Sequence, residues 1–251
     1  MRIIGLTGSI GMGKSAAARY LRFLGIPVYD SDATVHSVYA RGGAAVGPVG
    51  ALWPIAVRDG AVDREALDTL INADNSVLPQ LEKTVHPIVH MAQQRFLLSN
   101  ALRRQPVIAL DIPLLFETGG ENRCDAVFVV SAPAFIQRAR VLARSRMTPE
   151  KFDFILARQT PDDVKRERAD VVVPSHQGWL TMLNILRDAV GTVLTRPARH
   201  WPPDPATFTR RASWRVMPAR FSCCEKSFLI PRPRAWIRRQ VTGSSKSALW
   251  S

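Results

Sequence analysis

One stretch near the start of the chain, Gly5-Leu6-Thr7-Gly8-Ser9-Ile10-Gly11-Met12-Gly13-Lys14-Ser15, restricts the possible folds more than any other. The spacing Gly8-x-x-x-x-Gly13-Lys14-Ser15 matches a P-loop. Arg2 to Thr7 before it reads as a short buried strand, and Ala16 to Leu21 after it as a helix start. Strand, loop and helix in that order are the context the motif requires. The glycines let the backbone curl until its N–H groups converge, and the helix N-terminus adds positive potential for a phosphate chain. Lys14 is then expected to reach the β- and γ-phosphates, and the Ser15 hydroxyl to ligate Mg²⁺. The expected nucleotide contacts are Gly8, Gly11, Met12, Gly13, Lys14, Ser15 and Ala16.

Further along, short apolar runs alternate with helical patterns. Gly25 ends the first helix, Ile26 to Tyr29 forms a second strand, and a helix starts at once, capped by Ser31 or a neighbouring Asp. Residues from about Asp63 to Arg104 read as helical, with a break or kink predicted at His86 because Pro87 follows. Val107 to Leu110 is a strand ending at Asp111, Asp125 to Ala132 another, and Ala169 to Pro174 the last. Basic and Thr148-capped helices lie between the last two, and Trp179 to Val193 closes the pattern. Buried β-runs alternating with helices predict an α/β fold, a parallel sheet covered by helices on both faces. The helical insert, about residues 60–105, would sit over the strand ends, and a lid over about 138–168.

Several residues on the strand ends carry candidate chemistry. Asp30 and Asp32 fall where a parallel sheet presents its catalytic edge. One can cap the helix; the cap is expected at Ser31 or Asp30, leaving Asp32 to accept a proton or hold a metal through water. Asp111 fits either a metal-side carboxylate or the cap of a turn with Pro113. Glu117 fits substrate orientation or a helix start. Arg140 and Arg144, at i and i+4, suit a lid over transferring phosphates, although a solvated cationic face gives the same pattern. Arg138 and Arg146 do not share that face. His86 reads as a core histidine, a helix-end cap or a substrate contact, with no metal-ligand spacing beside it. Gln159 and Lys165 are lid candidates that look like surface when read alone.

The net charge of +13 raises the question of nucleic acid. Its distribution argues against that reading, because Arg196 to Ser251 holds 12 Lys/Arg against 2 Asp/Glu, while the preceding residues carry 22 against 19. The basic part, 196–251, also holds seven of 18 prolines and four of six tryptophans and shows no sustained period. It is expected to be a disordered or poorly packed extension. No apolar run reaches membrane-spanning length. The three cysteines, Cys124, Cys223 and Cys224, form no even framework, which points to a reducing cytoplasm.

The segments GLTGSIGMGKS, VYDSDATVHSVY, VHPIV, DIPLLFETGG, RARVLARSRMTPEKFDFILARQ and KRERADVVV occur in the order and rough spacing of the dephospho-CoA kinase family. The chain resembles that family over about residues 1–173. The resemblance implies a P-loop kinase core at 1–195, a helical acceptor-binding domain and a lid. It implies transfer of the γ-phosphate of ATP, with Mg²⁺, to the ribose 3′-hydroxyl of dephospho-CoA, the last step of coenzyme A biosynthesis. Asp32 would be the general base, with Lys14 and Arg140 supporting the transferring phosphate. His86, Asp111 and Glu117 would lie on the acceptor side, and Arg144 and Gln159 on the nucleotide side. Two departures stand out: Ala16 occupies a position where the family has Thr, and Pro174-Ser175 one where it has Asp-Asn or Asp-Thr. Another nucleoside or nucleotide kinase, or a nucleic-acid-binding NTPase using the basic tail, are the competing expectations.

Overall fold

Apolar alternation within the strands builds two cores, one on each face of a single sheet. The computed structural model describes residues 1–145 and 147–201. In chain order its elements are β1 (Arg2–Thr7), α1 (Lys14–Phe23), β2 (Val28–Asp30), α2 (Ser31–Tyr39) and α3 (Val46–Leu52). A short hairpin of β3 (Val57–Arg58) and β4 (Ala61–Val62) leads to α4 (Arg64–Ala73) and α5 (Val77–Leu102). Then come β5 (Val107–Asp111), β6 (Ala126–Ser131), α6 (Ala134–Leu142), α7 (Pro149–Leu156), α8 (Asp162–Glu167), β7 (Val171–Pro174) and α9 (Trp179–Thr195).

The main sheet has the order β2-β5-β1-β6-β7, and every neighbouring pair is parallel. Ile4, Leu6, Ala109, Phe128 and Val130 point to one face, where α1 and α9 cover them through Leu21, Met182 and Leu186. Ile3, Ile108, Leu110, Val127 and Val129 point to the other, under Leu97 of α5 and the Leu115–Phe116 segment. Burial on both faces explains the near-continuous apolar strands and the parallel arrangement. A third core belongs to the insert, where Val38, Val49, Ala56, Val62, Leu67, Leu81 and Val85 pack together. The insert therefore gathers α2 and α3 as well as the region read as helical from sequence.

One expectation about local structure needs correction, and one element was absent from the sequence reading. Helix α5 runs unbroken through Pro87. Pro87 is exposed, so water can satisfy the carbonyl its ring leaves without a donor, while Leu81 and Val85 before it and Leu97 after it are buried. At 26 residues α5 is about 39 Å long, and it ties the insert core to the sheet. The β3–β4 hairpin was not foreseen, yet Asp59-Gly60 is its two-residue turn, with φ of 52° and 75°. Past α9 the chain stays attached to the core through Arg196 and Arg199. Arg2 Nε donates to the Arg196 carbonyl (2.7 Å), Arg196 reaches Asp170 (2.8 Å), and Arg199 N–H donates to Asp125 (2.6 Å). The rest of the tail, including Cys223 and Cys224, lies outside the described residues. Among the described residues no helix is long and apolar enough to cross a membrane.

Candidate active site

All five strands run the same way, so their C-terminal ends share one edge. The register pairs Asp30 with Asp111, Leu6 with Asp111, Thr7 with Val129 and Ser131 with Pro174. Residues read from separate motifs are thereby brought within one site.

The loop after β1 curls as the motif requires. Gly11 and Gly13 take φ of 78° and 92°, a region that favours glycine. Space is short as well: a Cβ on Gly11 would clash with Val141 Cγ2 at 2.4 Å, and one on Gly13 would crowd Ser175 at 3.0 Å. Gly11→Ala is therefore expected to cost about 1–3 kcal/mol in strain and to weaken nucleotide binding. Denaturant unfolding and a nucleotide titration check both; an unchanged variant would contradict the packing described.

Lys14 Nζ lies 2.5 Å from Asp111 Oδ1, and Asp111 is only 3% exposed. Burial pushes the Asp111 carboxyl above its ordinary range; Lys14 offsets this in part, while the charges of Asp30 and Asp32 add to the rise. Its side chain thus takes Lys14 rather than capping the turn with Pro113. The turn is held instead by Thr7 Oγ1 donating to the Pro113 carbonyl (3.0 Å). Ser31 Oγ donates to the Asp111 carbonyl (2.9 Å) and joins β2 to β5 at the same edge.

Asp30 is the N-cap of α2, accepting from Ala33 N–H at 2.9 Å, with Arg22 3.8 Å away. Asp32, in the first turn of the helix, is exposed and has no ion pair or hydrogen bond among the described residues. It lines a cleft of about 620 Å³ together with Tyr29, Tyr39, Leu78, Val85, His86, His90, Ile112, Leu114 and Arg123. The cleft is mostly apolar, with polar groups spaced around it. His86 is exposed into this space rather than being a core residue or a cap. Among the described residues no group of His, Cys, Asp and Glu has metal-binding geometry of its own.

Glu117 is turned away from that cleft. Its carboxylate accepts from Thr160 N–H (2.7 Å) and pairs at 3.0 Å with Lys165 Nζ, whose side chain is 0% exposed. Burial pushes the Glu117 carboxyl up, but the N–H donors and Lys165 outweigh it and hold the group below its ordinary range. Glu117 and Lys165 are therefore paired with each other beside the Thr160 N–H.

Arg140, at the end of α6, donates to Ser175 Oγ (2.7 Å) and to the Ser175 carbonyl (2.9 Å). Arg144 lies past the end of α6, so the expected i and i+4 helical pair is not formed. Arg138 instead leans on α7, near Asp153 and Phe152, and Arg146 lies outside the described residues. Gln159 Oε1 accepts from Ile10 N–H at 3.0 Å, so this residue faces the loop backbone.

A family model described as dephospho-CoA kinase matches residues 2–179. The chain belongs to the dephospho-CoA kinase family. The dephospho-CoA kinase of Paramagnetospirillum magneticum is 58% identical over 166 residues, covering 66% of this chain and 78% of that protein. That of Rhodospirillum rubrum is 48% identical over 200 residues, covering 79% and 94%. Among solved structures, TT1252 from Thermus thermophilus has a TM-score of 0.64 and 40% identity, covering 78% of this chain and 98% of that one. The dephospho-CoA kinase from Campylobacter jejuni, at 16% identity and a TM-score of 0.53, shares the fold.

Within this family frame the sequence reading missed one residue that touches the loop. Gln137 is a buried polar residue on α6, and its Nε2 donates to the Ile10 carbonyl at 2.8 Å. No local signal marks it, because a glutamine on a short basic helix reads as surface until the loop is packed against it. Cys124 is buried and its thiol is pushed up to about 12 by burial, which leaves it unsuited to nucleophilic work.

Proposed function

We propose that the protein transfers the γ-phosphoryl group of ATP to the ribose 3′-hydroxyl of dephospho-CoA, yielding CoA and ADP. This is the closing step of coenzyme A biosynthesis. Membership of the family carries the reading, and one observation supports it: Asp32, at the C-terminal strand edge and without a partner among the described residues, lines an apolar cleft.

The roles follow from the geometry. Backbone N–H groups of Gly11 and of Gly13 to Ser15 hold the phosphates, while the Met12 N–H closes the loop on the Ser9 carbonyl (3.1 Å), and Lys14 leaves Asp111 to follow the phosphates. Asp32 accepts the proton of the acceptor hydroxyl as the phosphoryl group arrives. Tyr39, Leu78 and Val85 offer the apolar wall for the acceptor's long arm, with His86 and Arg123 for its polar groups. The lid, about 138–168, brings Arg140 over the phosphates once nucleotide displaces it from Ser175, with Arg144 beside it. The insert, about 60–105 with α2 and α3, forms the acceptor side.

Magnesium fits the oxygen donors at this edge. Ser15 offers a hydroxyl with no partner among the described residues, and Asp111 and Asp32 offer carboxylates at the same strand edge. When bound, the ion neutralises phosphate charge during transfer. We assign the reaction to the cytoplasm, where the cysteine usage fits a reducing compartment.

The direct test is ADP release from ATP and magnesium by the full chain, with and without dephospho-CoA. Strong stimulation with CoA as product is expected. A folded, ATP-binding protein that dephospho-CoA does not stimulate would overturn the assignment.

A further inference from the structure

A phosphate loop has to show its N–H groups to the anion and turn its carbonyls away. A carbonyl turned outward into protein needs a donor there, because an unpaired buried polar group is costly. At Ile10 both backbone groups are taken by side chains from outside the loop. Gln137 Nε2 donates to the Ile10 carbonyl at 2.8 Å, and Ile10 N–H donates to Gln159 Oε1 at 3.0 Å. A carbonyl can meet only a donor and an N–H only an acceptor, so each glutamine's amide orientation is set by its partner.

Both glutamines are held firmly. Gln137 is 4% exposed, and Val141, four residues on, occupies the space that Gly11 leaves by lacking a Cβ. Gln159 precedes Thr160, whose N–H is fixed by Glu117, itself paired to the fully buried Lys165. On the other side of the loop Ala132 N–H donates to Met12 Sδ at 3.2 Å.

We infer that Gln137 and Gln159 are positioning residues that clamp the Ile10 backbone of the phosphate loop from opposite polarities. The Glu117–Lys165 pair anchors the second arm. The clamp turns the Ile10 carbonyl away from the phosphates and keeps the curl that Gly11 and Gly13 permit. It acts on nucleotide binding and leaves the acceptor cleft untouched.

The test exploits the opposite polarities, and its kinetic arm rests on the proposed kinase activity. Binding of a fluorescent ATP analogue with magnesium, and KM for ATP and for dephospho-CoA, would be measured for Q137M, Q159M, Q137E and Q159E. Q137M and Q159M should each weaken nucleotide binding about tenfold, the effect of losing roughly one buried hydrogen bond. KM for ATP should rise in parallel while KM for dephospho-CoA holds. Q159E keeps an acceptor for Ile10 N–H and should bind nucleotide more tightly than Q159M. Q137E loses the donor and should not recover relative to Q137M. Nucleotide affinity unchanged in both Met variants, or equal behaviour of the two Glu variants, would overturn the clamp. If Q137M or Q137E fails to fold, the Q159M and Q159E pair still decides, since Gln159 is only half-buried and lies between helices. Should the wild type bind nucleotide but not phosphorylate dephospho-CoA, the proposed function falls while the binding comparison still judges the clamp.

Discussion

Asp32→Asn is expected to lower kcat by about 10²–10⁴-fold, the usual worth of a positioned general base. KM for ATP should stay close to the wild-type value, because Asp32 lies on the acceptor side of the edge. The size of the effect follows from what the neighbouring carboxylates are already doing. Asp30 caps α2, Asp111 holds Lys14, and Glu117 holds Lys165 and the Thr160 N–H. Among these four, Asp32 alone has no partner among the described residues, and it faces the cleft. The comparison that makes the measurement specific is Asp30→Asn. Asn is as good an N-cap as Asp, so that variant should retain both stability and turnover. Steady-state rates at saturating ATP and dephospho-CoA check the pair. Turnover of Asp32→Asn within a few-fold of wild type would remove Asp32 from the mechanism.

Lys14→Ala should be damaging for two separable reasons. It removes the cation that follows the transferring phosphates, a loss on the order of 10²-fold or more in kcat by analogy with deleting one transition-state donor. It also leaves the buried Asp111 carboxylate without its partner, and breaking a buried pair from one side costs about 3–5 kcal/mol. Asp111 can escape part of that cost by taking up a proton, since its carboxyl is already pushed above its ordinary range. The variant should therefore lose stability as pH rises. A group with a raised folded-state pKa binds more protons when folded, so its contribution is present at low pH and fades as pH climbs through the window from its ordinary value to the raised one. Melting curves over a pH series test this, and Lys14→Ala with Asp111→Asn should recover stability without recovering turnover. A single Lys14→Ala protein as stable as wild type at neutral pH would contradict the buried pairing.

The Pro174-Ser175 departure acquires a physical meaning only in three dimensions. Ser175 lies against Gly13 and holds Arg140 through two hydrogen bonds, so the segment sits between the loop and the lid arginine.

What the amino-acid sequence determined by itself was everything governed by local pattern. Continuous apolar runs ended by Asp or Pro marked the parallel strands, glycine spacing marked the phosphate loop, and Thr148 marked the start of α7 through a cap the structure contains. The Asp59-Gly60 turn carries an equally local signal. Tertiary structure decided the rest. Whether Pro87 interrupts a helix depended on which side of α5 faces water. Which carboxylate is free depended on cations and N–H groups brought from distant parts of the chain: Lys14 to Asp111, Lys165 and Thr160 to Glu117. The role of Gln137 depended on α6 lying across a loop more than a hundred residues earlier. Local propensity acts over a few residues, whereas charge pairing and burial act over ångströms of space, and only the folded sheet brings those two scales together at one edge.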